Sequence, residues 1–291
     1  MNSDGEEDKK LNPYNFNNEL ITENNIQEIL MSMNIPLDPN NIEVYQRAFV
    51  HKSYSCKCVD INDVIPKPEG ALPLMDTDNE RLEFLGDSVI GLIVAKYLYE
   101  RYENQDEGFL TKLKTKLVRG DALAYFAKEL GFAKWIIMSR HVEDKCHGRN
   151  STSILEDSFE AFIGALFTDF NEQDLESNCL DKYDFYSGLG FQVCEQFMIN
   201  LIEEKVDFSV LIQTNYNYKE QLIRHLVNKH NVRPEYSLIS TEQDEYEKTF
   251  TAQVKDPSSN KKYIGLGTTK KKAEQEASKN ALIDLGIIED C

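Results

Sequence analysis

The sequence predicts an all-helical domain followed by a small α+β domain of order α-β-β-β-α. Three observations carry that expectation. Up to about residue 235 apolar residues recur at helical spacing, and no segment alternates convincingly like a strand. From Tyr218 on, the pattern becomes one helix, three alternating segments and a last helix within about 70 residues, the make-up of a compact α+β module. Charge divides at nearly the same place. Residues 1–214 carry 20 Lys and Arg against 38 Asp and Glu, whereas residues 215–285 carry 12 against 10, so an acidic body is joined to a mildly basic module.

Residues 1–24 are polar and Asn-rich and read as a disordered tail. The segment 25–205 reads as the first domain. It opens with a short helix from Asn25 to Met33, ended by Pro36, and a second helix over VYQRAFVHKSY, Val44 to Tyr54, with Val44, Ala48 and Phe49 on one side. Between Cys56 and Asp78, Pro66, Pro68 and Pro73 mark a loop too long for an ordinary connection, hence an insertion or lid. Dense apolar positions from Leu82 to Leu98 predict a long buried helix over Asn79–Tyr102. Further helices are expected at 108–118, 121–130, 152–170 and 191–204, with a second, polar insertion at 171–190. Residues 206–214 read as a linker and 215–286 as the second domain. In it, 218–230 is helical, PEYSLIS, KTFTAQV and KKYIGLG alternate, and TKKKAEQEASKNALIDLG closes as a helix.

Composition excludes several classes. With 41% apolar and 28% charged residues the chain has the profile of a folded protein. No apolar run approaches the ~18 residues of a membrane span, and MNSDGEEDKK is unlike a signal peptide. The six cysteines include no CxxC pair, so a reduced, intracellular and soluble protein, cytoplasmic rather than nuclear, is expected. Cys56, Cys58, His141, Cys146 and His147 fit no standard zinc spacing.

The chemistry lies in the acids. NERLEFLGDS places Glu80, Glu83 and Asp87 at i, i+3 and i+7, within roughly 60° of one another on a helix. Unpaired carboxylates in an apolar stretch are costly to bury, which only a metal, a base or open water can offset, and a cation is implied. Asp157 and Glu160 repeat the pattern at i and i+3 in ILEDSFEAFIGALFTD. If the two helices pack, four or five carboxylates converge, a hard-oxygen set suited to magnesium rather than zinc. Acids on helices of a very acidic protein can also be merely solvated, and that reading is kept for Glu156 and Asp169.

NERLEFLGDS resembles the signature helix of the ribonuclease III family, EDSFEAFIGALFTD its second acidic helix, EGFLTKLKTKLVRGDALA its middle helices and AFVHKSY its early helix. The likeness runs over about residues 40–204 in the family's order. It implies a helical nuclease that cuts double-stranded RNA, leaving 5′-phosphates and short 3′ overhangs. Implied with it are Mg2+ (Mn2+ as substitute) on Glu83, Asp87, Asp157 and Glu160, Glu80 as ligand or neighbour, Glu107 as a further acid, and a homodimer without small-molecule cofactor or membrane contact. His51 falls in the early helix, where a structural role is expected over a catalytic one.

The C-terminal segment is similar to a double-stranded-RNA-binding domain. There Thr269 would cap the last helix, with Lys270, Lys271 and Lys272 in its first turn beside the phosphates, and Gln221 would contact RNA from the first helix. The likeness departs at Ile223 and Arg224, where a Gln and an acid are usual, and at Gln243–Tyr246, QDEY in place of GPxH. A chain of this kind that binds but does not cleave RNA is the alternative reading, and a helical nucleotide pyrophosphohydrolase a third. The first differs by lacking metal-dependent cleavage. The second is disfavoured by the RNA-binding module.

Overall fold

A computed structural model describes residues 11–56, 64–171, 188–213, 217–243 and 248–288. They fall into two units, residues 1–211 and 212–291.

In the first unit the helices are α1 (Glu23–Ser32), α2 (Ile42–Ala48), α3 (Glu80–Arg101), α4 (Glu107–Leu117), α5 (Gly120–Glu129), α6 (Arg140–Cys146), α7 (Thr152–Asn171) and α8 (Gly190–Lys205). Among the described residues no strand precedes Glu235. Helix α7 is central: Phe159, Ala161, Phe162, Ile163, Ala165 and Leu166 are all fully buried, more than one face can supply, because α2, α3, α5 and α8 surround it. Aromatic rings fill the middle, with Phe132 and Phe162 at 4.9 Å between centroids and Phe49 edge-on to Phe132 at 5.1 Å.

Four sequence expectations are corrected. First, the helix read over Val44–Tyr54 breaks after Ala48: Val50 bridges Ile137, and only a 3-10 turn, Lys52–Tyr54, follows. The Ile137 carbonyl accepts the His51 N–H at 2.9 Å, so a tertiary partner wins over the local helical one.

Second, residues 11–22, read as part of a disordered tail, form a packed strap. The Asn18 side chain donates to the Met138 carbonyl and accepts the Met138 N–H, at 3.0 and 3.1 Å, and Asn15 donates to the same carbonyl at 3.2 Å. Arg149, partly buried, bonds Glu143, the Ala133 carbonyl and the Asn17 carbonyl. The asparagines that lower local hydropathy thus satisfy buried backbone groups.

Third, of the two readings of the Pro-rich loop, insertion or lid, the lid does not hold for its described residues, 64–78, which are packed down. Val64 and Ala71 bury with Tyr14, Val50, Tyr54 and Ile137 in a second apolar cluster, and the Tyr54 hydroxyl donates to the Leu72 carbonyl at 2.9 Å. Residues 57–63, and most of the 171–190 insertion (172–187), lie outside the described residues.

Fourth, Asp169 is buried, not solvated. Its carboxylate accepts the N–H groups of Asn40 and Asn41 at 3.0 and 2.8 Å and the Tyr45 hydroxyl at 2.8 Å, tying α7 to the entry of α2.

The segment read as a linker carries a short helix, α9 (Phe208–Gln213). The Asp207 carboxylate accepts the Ser209 N–H at 2.8 Å, and the Arg101 guanidinium stacks on the Phe208 ring at 4.4 Å.

The second unit contains α10 (Tyr218–His230), β1 (Glu235–Gln243), β2 (Lys248–Lys255), β3 (Lys262–Gly267) and α11 (Lys270–Asp284). The strands pair antiparallel in the order β1-β2-β3, with Tyr236 opposite Val254 and Val254 opposite Tyr263. Helix α11 lies directly on β3. A Cβ at Gly265 would overlap the Ala277 backbone, so the glycine and the buried alanines Ala273, Ala277 and Ala281 let the layers approach.

Candidate active site and nucleic-acid interface

The crossing of α3 and α7 is built on two glycines. A Cβ at Gly86 would overlap the Glu160 carbonyl, and one at Gly164 would overlap the Leu82 carbonyl. Each glycine thus receives the other helix's backbone, and the approach is closer than any side chain permits. Gly86 lies between Glu83 and Asp87 on α3, and Gly164 lies one turn beyond Glu160 on α7. Backbone contact at this point is what carries the two acidic faces together.

Glu83, Asp157 and Glu160 meet there, each offering an oxygen within 4.8 Å of the others. Glu160 is buried and the other two are half-buried. Burial, then the charges of Asp87, Glu156, Glu83 and Asp157, push the Glu160 carboxyl up to about 8. Burial, followed by Glu156, pushes Asp157 up to about 6, while Lys52 opposes the rise. Glu83 is raised too, by burial and then by Asp157 and Glu80. Repulsion and desolvation thus act on one cluster, and a cation relieves both. An oxygen-only, half-buried donor set of this kind can hold a divalent metal, hard cations above all.

The other expected residues are placed as follows. Asp87 is one turn from Glu83 and acts on Glu160 through its charge, without joining the 4.8 Å trio. Glu80 faces Lys52, whose Nζ is 3.0 Å from its Oε1. Glu107 stands apart in the first turn of α4, exposed, where it accepts the Thr111 hydroxyl at 2.8 Å; it is not brought to the trio. His51 has a structural part, its Nδ1 accepting the Ser53 N–H at 3.2 Å and capping the 3-10 turn. Among the described residues, Cys56, His141, Cys146 and His147 form no metal-ligating group; Cys58 lies outside them.

Two residues were missed in the sequence. Lys52 lies in the quoted AFVHKSY segment, where only its histidine was weighed. Glu156, read as solvated, is half-buried, and its carboxylate covers Gly120 at the start of α5, so that a Cβ there would strike it. For Glu156 the signal was a charge next to an acidic motif, which no spacing rule distinguishes from a solvated one; Lys52 stands 28 residues before Glu80, and nothing local ties it to the acids.

In the second unit Thr269 caps α11, its hydroxyl accepting the Lys272 N–H at 3.2 Å. Lys270, Lys271 and Lys272 are all exposed in the first turn. Such a terminus, with free amides and three ammonium groups, suits an anionic backbone. Gln221 is half-buried on α10. Residues 244–247, with most of the QDEY segment, lie outside the described residues.

Residues 41–183 match the ribonuclease-III-like family, and residues 218–285 match the double-stranded RNA binding motif. The chain is 31% identical over 93% of its length to a probable ribonuclease 3 of Acanthamoeba polyphaga mimivirus, and it spans 47% of that relative. It is 34% identical to the ribonuclease 3 of Chlorobium luteolum over 83% of this chain and 76% of that protein. The nuclease domain of ribonuclease III from Campylobacter jejuni aligns with 62% of this chain and 96% of its own, at 28% identity and a TM-score of 0.44. No helix among the described residues is long and apolar enough to cross a membrane. With the acidic helices, the appended RNA-binding fold and identities above 30% across most of a bacterial ribonuclease 3, the chain belongs to the ribonuclease III family.

Proposed function

We propose that this chain is an endonuclease that hydrolyses double-stranded RNA, leaving 5′-phosphates and short 3′ overhangs. Magnesium, or manganese in its place, would be held by Glu83, Asp87, Asp157 and Glu160. The observation that carries the reading is the acidic trio at the glycine crossing, raised in pKa and held by backbone contact. When bound, the divalent ions supply a nucleophile at neutral pH and offset the charge that develops on the leaving 3′-oxygen. The chain's own residues do the rest. The crossing fixes the carboxylates before substrate arrives, so that little reorganisation accompanies the reaction. Lys270, Lys271 and Lys272 bind the RNA backbone, with Gln221 a further contact, and recognise A-form shape rather than sequence. Glu80 acts beside the cluster rather than within it, and Glu107 has no part in the site of its own chain.

The proposal includes a homodimer. On α3, Phe84 is 78% exposed, and Leu92 and Tyr99 are exposed too, an apolar outer stripe that a second copy would cover. Light scattering that gives only the ~33 kDa monomer at micromolar concentration would remove this part of the reading. A cytoplasmic setting is part of the proposal; the absence of a CxxC pair fits a reducing compartment, cytoplasm and nucleus alike.

The test is cleavage of long duplex RNA with magnesium, with product ends sequenced. Glu160→Gln keeps the side chain's size and removes its charge, so a folded variant should bind duplex RNA while cleavage collapses. Glu23→Gln, exposed on α1, serves as the control. Cleavage by Glu160→Gln within a few-fold of wild type would make the carboxylate assignment wrong. Nothing in the site favours the non-cleaving alternative.

A further inference from the structure

We propose that Lys52 contacts a backbone phosphate of the RNA at the rim of the carboxylate cluster. The inference rests on the endonuclease reading above and adds a cationic contact to it.

Lys52 sits in the 3-10 turn that follows the Val50–Ile137 bridge. Its ammonium is 3.0 Å from Glu80, with 59% and 53% of the two side chains exposed. Its charge also acts on Glu83 and Asp157, so it stands beside acids of both α3 and α7. Exposed ion pairs of this sort contribute little to folding, so stability does not account for the lysine.

The substrate supplies a better account. For the carboxylates to reach a phosphodiester, a polyanion must enter a strongly acidic neighbourhood, and bound metal neutralises only part of that field. A cation at the rim, still open to water, can exchange Glu80 for a phosphate oxygen without desolvating a buried group. Its base is also rigid. The His51 N–H is held by the Ile137 carbonyl at 2.9 Å, the Ser139 N–H by Ser53 Oγ at 3.0 Å and the Met75 N–H by the Tyr54 carbonyl at 3.0 Å. The flexible stem therefore starts from a fixed point, and the ammonium is a placed point charge of the kind that binds phosphate.

The rival account is that Lys52 serves only to anchor Glu80, and the experiment separates the two. With the full-length chain, magnesium and a defined duplex RNA, kcat and KM are measured against salt for wild type, Lys52→Met, Lys52→Arg, Glu80→Gln and the double variant Lys52→Met/Glu80→Gln. Lys52→Met should melt like wild type, lower kcat/KM about tenfold or more and flatten the slope of log kcat/KM against log salt by roughly 0.7 to 0.9, the value of one lost phosphate contact. Lys52→Arg should restore most of both. Glu80→Gln should leave the slope as it is, and the double variant should show the slope of Lys52→Met. If Lys52→Met stays within twofold of wild type with an unchanged slope, the assignment is overturned. It is equally overturned if Glu80→Gln alone reproduces the loss and the changed slope and the double variant is no worse. A wild-type chain that leaves the duplex uncut overturns the endonuclease reading and Lys52 with it.

Discussion

Removing one negative charge from the cluster should make the metal-free protein more stable, and by an amount that depends on pH. Glu160 is 8% exposed, and burial together with its acidic neighbours raises its carboxyl from 4.5 to about 8. A raised carboxyl contributes stability that is present below the unfolded value and lost as pH rises through the folded one. At pH 5 the side chain is protonated in the folded protein, and the loss is below about 1 kcal/mol. At pH 8 it approaches roughly 4 kcal/mol, at about 1.4 kcal/mol per pH unit between the two values. Glu160→Gln does not titrate and escapes this loss. Neighbouring carboxyls can share protons with wild-type Glu160, so we expect a gain of about 2 kcal/mol at pH 8, or ~4 to 8 °C in the melting temperature of a unit this size. Melting curves in chelator at pH 5 and pH 8 measure it. Magnesium should raise the wild-type melting temperature more than that of the variant, since binding to the folded state alone stabilises it. A variant less stable than wild type at pH 8 in chelator, or one with the same gain at both pH values, would refute the reasoning.

Three further outcomes are expected. Gly164→Ala drives a methyl group into the Leu82 carbonyl; overpacking of this kind costs about 1 to 3 kcal/mol, and an unchanged melting temperature would mean that the helices do not cross there. Asp169→Ala leaves two amides and the Tyr45 hydroxyl without their acceptor, so the melting temperature should fall by roughly 6 to 12 °C, for a loss of about 3 kcal/mol; a fall of a degree or less would restore the solvated reading. Replacing Lys270, Lys271 and Lys272 together with Ala should weaken duplex RNA binding and lower its salt slope by up to ~0.9 per lost contact, and an isotherm unchanged in affinity and slope would place the binding elsewhere.

The acidic site was legible because its logic is local. Glu80, Glu83 and Asp87 share a helix face through spacing alone, and Asp157 with Glu160 does the same, so sequence shows both halves of the cluster. What joins them, the mutual contact of Gly86 and Gly164, is a property of two helices and leaves only two unremarkable glycines in the text. Asp169 shows the limit more sharply. An acid near a helix end looks the same whether water or protein receives it, and its partners at Asn40 and Asn41 are 129 and 128 residues away. The break after Ala48 has the same origin, because Ile137 decides it and helical spacing through Tyr54 cannot report a distant carbonyl. The α-β-β-β-α module was read nearly whole, since the two helical segments and the alternation of three strands lie within one short stretch of chain, whereas the close approach at Gly265 shows only in the fold.

The strap formed by residues 11–22 bears on where this protein can be cut. The family match begins at residue 41, which invites a shortened nuclease starting there. Such a protein would lose α1 with its buried Ile26, Ile29 and Leu30, and it would also strip Asn15 and Asn18 from Met138 and Tyr14 from the cluster under the Pro-rich loop. Met138 adjoins Ser139, whose N–H meets Ser53 beside Lys52. Trimming at the family boundary would therefore loosen the base of Lys52 beside the carboxylate cluster, whereas removal of the first ten residues spares every one of these contacts.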